Sequence, residues 1–447
     1  MTTLRTDDEY RGRTILVVGY GRTGVAVARH LLAAGARVRV TDKRPLEELG
    51  APPADPQIEL RCGRESVDDL DGVSLVVPSP GVPVQGPLLG EAVRRGIPVR
   101  AEIEVAARAL TIPIVAVTGT NGKSTTTTLI GDMLRAGGER PFVGGNLGTP
   151  LVSAIGGRYS MAVAEVSSFQ LEWVETLKPR VAVLLNVTED HLDRYAGLDA
   201  YGATKLRLFA QQTAEDVAIL NGSDPWTRAH AGGLRAATVW FGSGDHVALR
   251  ADAAAIRMRL EGREEMYPLG GVHLPGAHNR ENMMAAIAAA RAVGVAPAAV
   301  QEALQGFRGL PHRLEMVRER DGVRWIDDSK GTNAGAVVMS LAGFERSVIL
   351  LAGGIDKGGD YGVLIEPVRR AVKHALLFGA SRDMLARTFG GATAVELVDT
   401  LAAAVRRAAA LAAPGDTVLL SPACGSFDMF RDYADRGNQF QALVRAL

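Results

Sequence analysis

The sequence predicts an α/β protein of three domains, and three observations carry that expectation. Short apolar runs alternate with Ala- and Leu-rich amphipathic stretches, the βαβ rhythm of a parallel sheet covered by helices. Several runs end in Gly-rich or polar loops, where open α/β sheets gather their ligands. At 447 residues the chain exceeds one core, since a domain takes about 100–200 residues.

Residues 1–101 form the first expected domain. TILVVGY, RVRVTD and SLVVPSPG read as parallel strands of a Rossmann-like sheet. GYGRTG (19–24), with Asp42 further on, matches a dinucleotide fingerprint whose turn cradles a pyrophosphate; the same glycines also suit a turn made only for packing. The central domain, 102–309, opens with PIVAVTGTNGKSTTTTLIGDMLRAGG, read as a buried strand, a Gly-rich turn and a helix ending at Gly137 and Gly138. In that turn Gly119, Thr120, Asn121, Gly122, Lys123, Ser124 and Thr125 form a P-loop. Backbone N–H groups and the helix dipole face phosphate, Lys123 bridges terminal phosphates, and the Ser124 hydroxyl reaches Mg²⁺. Val117 stands where the usual Walker pattern has its first glycine.

Two further strands are expected to end at Glu165 (in MAVAEVSSFQ) and at His191 (in VAVLLNVTEDHLD). With Ser124 they make a candidate Mg²⁺ site, although that metal prefers oxygen and each residue alone also suits a structural role. Alternation in AIRMRLEGREEMYPL predicts a small antiparallel ribbon turning at Glu261-Gly262. A long Ala-rich helix from Asn279 then leads to the Gly/Pro boundary GFRGLPHR. In the last domain, 310–447, SVILLAGGIDKGG, HALLFGASR and DTVLLSPACGSFDMF predict a second Rossmann-like sheet.

Acidic and basic side chains balance at 50 each, so no overall charge favours nucleic acid. The opening MTTLRTDDEYRGRT is charged, and no apolar run approaches the ~20 residues that span a bilayer, so a cytoplasmic protein without membrane insertion is expected. Cys62 and Cys424 are expected to be free thiols. Only seven of the fifty basic residues are lysine, and four of these, Lys123, Lys205, Lys330 and Lys357, fall in the most chemically suggestive segments. Where arginine serves almost everywhere, lysine marks places that need a compact point charge or a reactive amine.

GTNGKST, AEVSSFQ, NVTEDHLDRY, His278-Asn279, GLPHR (309–313), DDSKGTN (327–333) and LSPACGSFD (420–428) resemble, in that order, the motifs of the Mur ligases of peptidoglycan synthesis. The resemblance spans essentially the whole chain. It implies an ATP-dependent, amide-forming enzyme, nearest the member that adds D-glutamate to UDP-N-acetylmuramoyl-L-alanine, acting as a monomer. The first domain would then bind the uridine nucleotide through Arg22, Thr23, Asp42, Lys43, Arg44, Ser79 and Gly81, with Asn146 joining from the central domain. Asn279, Arg313 and Asp328 would address ATP alongside the P-loop, and Lys330, Thr332, Lys357 and Ser426 would bind D-glutamate.

Lys123, His191 and Lys205 would be catalytic, and Ser124, Glu165, His191 and Lys205 would surround two Mg²⁺ ions. Lys205 matches the lysine that the family carries as a CO₂-derived carbamate, an oxygen ligand no arginine imitates; its other reading is a solvated helix-surface lysine. The implied reaction transfers the γ-phosphoryl of ATP to a carboxylate, and an amine then attacks the acyl phosphate. His191 is one candidate to take the amine's proton. A diamino-acid-adding relative is disfavoured because its DNPR-type motif is absent. A folylpolyglutamate synthetase-like ligase, an NAD-dependent oxidoreductase resting on GYGRTG, and a P-loop regulatory NTPase are the alternatives.

Overall fold

The computed structural model describes residues 9–49, 55–192, 194–244, 246–260, 262–274 and 276–447. The start of the charged opening stretch and Glu261 of the expected ribbon lie outside them. The first sheet holds β1 (Thr14–Val18), β2 (Arg37–Asp42), β3 (Glu59–Cys62) and β4 (Leu75–Pro78), all parallel, in the order β3-β2-β1-β4. Helix α1 (Arg22–Ala33) links β1 to β2. Only glycine fits at 24, because a Cβ there would lie 1.9 Å from the Gly19 carbonyl oxygen. The third glycine of GYGRTG is thus what lets α1 approach its turn.

The second sheet has nine strands, ordered β13-β12-β11-β10-β9-β8-β5-β7-β6. They are β5 (Ile114–Thr118), β6 (Pro141–Gly145), β7 (Met161–Glu165), β8 (Val181–Leu184), β9 (Val217–Asn221), β10 (Ala237–Phe241), β11 (Leu249–Ala251), β12 (Ala255–Leu260) and β13 (Arg263–Pro268). Every residue of β5, β7 and β8 is buried, as expected of parallel strands covered on both faces. Around them run α2 (Glu102–Ala109), α3 (Lys123–Ala136), α4 (Leu198–Leu206) and α5 (Ala277–Ala292). The expected ribbon is present as β12 and β13, pairing antiparallel. It continues the main sheet through β11, and β10 is one more parallel strand where the sequence texture suggested the ribbon had begun.

The third sheet orders β14 (Glu315–Arg320), β15 (Val323–Asp327), β16 (Val348–Gly353), β17 (Val372–Phe378), β18 (Ala394–Leu397) and β19 (Thr417–Leu420) as β14-β15-β19-β16-β17-β18. Only β14 and β15 pair antiparallel, a hairpin whose charged residues hid it from the apolar reading. Apolar clusters around Leu350 and Leu377, and around Ile349 and Phe440, pack this sheet. Helix α6 (Tyr433–Ala446) closes the chain.

The chain forms two compact units. The first comprises residues up to Asn186 with Gly202–Gly271 and Glu281–Gly306; the second comprises Val187–Tyr201, Val272–Arg280 and Phe307–Leu447. Among the described residues no helix is long and apolar enough to cross a membrane.

Candidate active site

In the first unit the central site forms at a topological switch. β5 lies between β7 and β8, so the loops leaving its carboxyl end open into a crevice between diverging connections. Gly119 (φ +148°) and Gly122 (φ +86°) supply backbone that L side chains rarely adopt, and Lys123 and Ser124 begin α3. Asn186, just past β8, fixes the loop: its backbone carbonyl accepts from Thr120 N at 2.9 Å, its Oδ1 from Asn121 N at 2.8 Å, and its Nδ2 donates to the Asn121 carbonyl at 3.2 Å. Lys123 Nζ donates to the Gly119 and Thr120 carbonyls, both at 2.8 Å, while Ser124 and Thr125 are buried.

Three other expected residues reach this unit's loops. Glu165, 3% exposed at the end of β7, accepts from Asn146 Nδ2 at 2.6 Å, and its backbone carbonyl accepts from Asn146 N at 2.8 Å. Lys205, on α4, is 1% exposed, and its Nζ donates to the Gly119 carbonyl at 3.0 Å. That burial overturns the solvated-surface reading of Lys205. The donor set also suits Mg²⁺: a hydroxyl and a buried carboxylate supply oxygen.

At the first sheet, Arg22 and Thr23 open α1, and Arg22 Nη1 donates to the Gly148 carbonyl at 3.0 Å. Asp42 accepts from Tyr20 N and from Arg44, with Arg44 Nη2 at 3.0 Å. Burial pushes the Asp42 carboxyl up, but those bonds outweigh it and hold it below the usual range. Ser79 Oγ bonds the Gly19 carbonyl at 3.2 Å, Lys43 is exposed, and Gly81 follows in the loop after β4.

The remaining expected residues belong to the second unit: His191, Asn279, Arg313, Asp328, Lys330, Thr332, Lys357 and Ser426. His191 does not end a strand as expected, because β8 stops at Leu184; it holds a left-handed backbone (φ +57°), its N–H donating to Asp190 Oδ1 at 3.1 Å, and Asn333 Nδ2 bonds Asp190 Oδ2 at 3.0 Å. Arg313 sits between two further left-handed residues, His312 (φ +61°) and Leu314 (φ +46°). Such conformations cost of order 1–3 kcal/mol each and persist only where surroundings over-determine them. Asp328 accepts from Ser340 Oγ at 2.7 Å and Ser421 Oγ at 2.6 Å, yet burial dominates and pushes its carboxyl up to about 6. Lys357 Nζ donates to Thr332 Oγ1 at 3.3 Å, Ser426 is buried, and Lys330 Nζ stands 3.7 Å from the centre of the Tyr433 ring.

Sequence reasoning missed the residues that hold these groups. Arg436 on α6, fully buried, donates to the Ser329 hydroxyl and carbonyl and to the Gly353 and Cys424 carbonyls, joining the DDSKGTN and SPACGSFD loops. Burial lowers its guanidinium to about 10. One turn on, Gln441 Nε2 bonds Asp327 Oδ2 at 2.9 Å and Glu315 Oε2 at 3.0 Å, while His312 Nδ1 lies 2.7 Å from Asp327 Oδ2. Gly437 leaves room for the His312 ring; a Cβ would sit 2.2 Å from its Nδ1. In the first unit Asn282, on α5, was also missed; its Oδ1 accepts from Thr126 Oγ1 at 3.5 Å.

The chain matches the N-terminal domain of MurD-like Mur ligases over residues 13–101, the Mur ligase middle domain over 117–290, and the Mur ligase glutamate ligase domain over 312–424. It is 47% identical over 444 residues to the UDP-N-acetylmuramoylalanine--D-glutamate ligase of Syntrophotalea carbinolica, covering 98% of this chain and 99% of that protein. The chain belongs to the Mur ligase family. A second Mur ligase of the same name, from Geobacter metallireducens, is 46% identical over 452 residues, with 98% of each chain covered. Among solved Mur ligase structures, the UDP-N-acetylmuramate-alanine ligase of Thermotoga maritima aligns with TM-score 0.62 at 20% identity, covering 97% of this chain and 99% of its own. MurF of Acinetobacter baumannii also gives 0.62, at 18% identity, covering 99% and 92%. These two show the shared three-domain fold.

Proposed function

We propose that this chain is an ATP-dependent ligase that joins D-glutamate to UDP-N-acetylmuramoyl-L-alanine in cytoplasmic peptidoglycan precursor synthesis. Near-half identity to ligases of that name along the full chain carries the reading. The division into 1–101 for the uridine nucleotide, 102–309 for ATP and 310–447 for the amino acid is part of the proposal. Three separate sheets and three separately matched spans support it.

A carboxylate lacks a leaving group, so amide formation first needs its phosphorylation by ATP. The amides of residues 119–125 and Lys123 would hold the phosphates and offset charge as the γ-phosphoryl moves to the alanyl carboxylate. Ser124, Glu165, His191 and a carbamate on Lys205 would hold Mg²⁺, two ions in this reading, which supply further charge neutralisation. Asn279, Arg313 and Asp328 would orient ATP. Arg22, Thr23, Asp42, Lys43, Arg44, Ser79, Gly81 and Asn146 would bind the uridine substrate.

D-Glutamate brings two carboxylates, and Lys330, Lys357, Thr332 and Ser426 offer point charges and hydroxyls suited to them. Its amine would attack the acyl phosphate and release phosphate, with His191 a candidate for the proton. The test is phosphate release from ATP with the UDP-muramoyl-alanine substrate against a panel of D- and L-amino acids. Release is expected with D-glutamate alone. Equal release with an L-amino acid or a folate substrate would overturn the reading.

A further inference from the structure

Two glutamates of α2, Glu102 and Glu104, are both almost fully buried. Glu104 is fully partnered: it accepts from Glu175 N, Thr176 N, Leu177 N and the Thr176 hydroxyl, and pairs with Arg108 at 2.8 Å. Burial pushes it up, but those partners hold it below the ordinary carboxylate range. Glu102 has far less. Its Oε1 accepts from Val152 N at 2.6 Å, while its buried Oε2 has no hydrogen-bond partner among the described residues. A buried carboxylate so poorly compensated costs free energy, and its position suggests what it does.

Val152 belongs to the 3₁₀ turn Leu151–Ala154, which packs on both α2 and α1. That turn ends the loop that begins at Asn146. The loop's start is already tied, because Asn146 bonds Glu165 twice and Gly145 N donates to the Thr149 carbonyl at 2.8 Å. Its middle is met by Arg22 at Gly148. Glu102 ties its far end.

We infer that Glu102 is a positioning residue for the uridine-nucleotide substrate, acting through the 146–152 loop that it anchors at Val152. The inference rests on the proposed role of Asn146 and Arg22. A neutral carboxyl is a weaker acceptor than a carboxylate, so the anchor is expected to tighten on ionisation. Burial raises the Glu102 carboxyl to about 7, placing that change near neutrality. The other charged or titratable groups on the packed helices are Glu104 and Arg108 of α2 and Arg22, Arg29 and His30 of α1, and the 3₁₀ turn carries none. None of them contributes to that rise; besides burial, only the Val152 and Leu151 amides act on Glu102.

The test compares the full-length enzyme with Glu102→Gln and Glu102→Ala from pH 6 to 9. For wild type, KM for the uridine nucleotide is expected to fall severalfold as pH rises through about 7. Glu102→Gln keeps an acceptor but cannot titrate, so it should flatten that profile. Glu102→Ala should raise nucleotide KM about tenfold, the loss of about 1.4 kcal/mol of hold, with kcat and the KM values for ATP and D-glutamate unchanged. Amide exchange of Val152 and Gly145, read without turnover, should speed up in Glu102→Ala. An Ala variant with wild-type nucleotide KM and exchange, or a Gln variant keeping the inflection, would overturn the inference. If Glu102→Ala fails to fold, the Gln profile decides. Faster exchange in Glu102→Ala, with no D-glutamate-dependent turnover in wild type, would instead sink the proposed function and leave the anchor standing.

Discussion

Gly122→Ala should damage the ATP loop by an amount that can be separated into two parts. The first is backbone: Gly122 has φ +86°, and a non-Gly residue there costs roughly 1–2 kcal/mol. The second is steric. A Cβ would lie 2.1 Å from Asn282 Oδ1, well inside ordinary contact, with Leu185 Cδ1 at 3.2 Å leaving little room to yield. Asn282 would have to move and give up its contact with Thr126 Oγ1, adding about 1–3 kcal/mol. The sum is about 2–5 kcal/mol. Gly138 provides the control, because it has nearly the same backbone (φ +84°) with nothing within 4 Å of its Cβ position. Gly138→Ala should therefore show only the backbone part. Urea unfolding gives the stabilities, and ATP KM from phosphate release reports the loop. If the two variants unfold alike and ATP KM is unchanged in Gly122→Ala, the steric account is wrong.

Lys205→Arg keeps the charge but cannot form a carbamate, so ligation should fall at least a hundredfold; near-normal turnover would remove the carbamate role. Arg436→Met leaves the Ser329, Gly353 and Cys424 carbonyls without their buried donor. It should destabilise the second unit by about 3–5 kcal/mol and raise KM for D-glutamate; an unchanged KM in folded variant would separate α6 from the amino-acid site. Asp328 is raised from 3.8 to about 6, so its contribution is complete below pH 3.8 and lost as pH rises through 6. Wild type should therefore gain on the order of 2–3 kcal/mol over Asp328→Asn between pH 7 and pH 4. A flat difference in urea midpoints across that range would refute it.

The fold was legible wherever strands are buried on both faces, because IVAVT, MAVAE and VAVL carry no polar residue until their functional ends. β14 and β15 were not, since EMVRER and VRWID mix charge with apolar residues at an antiparallel edge. In the candidate site, what is local in sequence could be read: the glycines of a tight turn, with Lys123 and Ser124 opening the helix that follows. The parts that position them could not. Asn186 reaches the P-loop across 65 residues and Arg436 reaches Ser329 across 107, and neither spacing leaves a periodic trace.

Lysine scarcity drew attention to Lys205, whose side chain is buried with its amine on the Gly119 carbonyl of the P-loop. Carboxylates carry no such mark. Glu102 and Glu104 stand two apart in one short helix and share burial, yet one is held low by an arginine, a hydroxyl and three amides while the other is pushed up for want of them. Three of Glu104's four partner residues lie 71 to 73 residues away, and the Val152 amide that meets Glu102 lies 50 residues on. Whether a buried acid is mortar or a titrating anchor is therefore decided by what tertiary structure brings to it, and the loop that ends at Val152 is where this chain has put the difference to use.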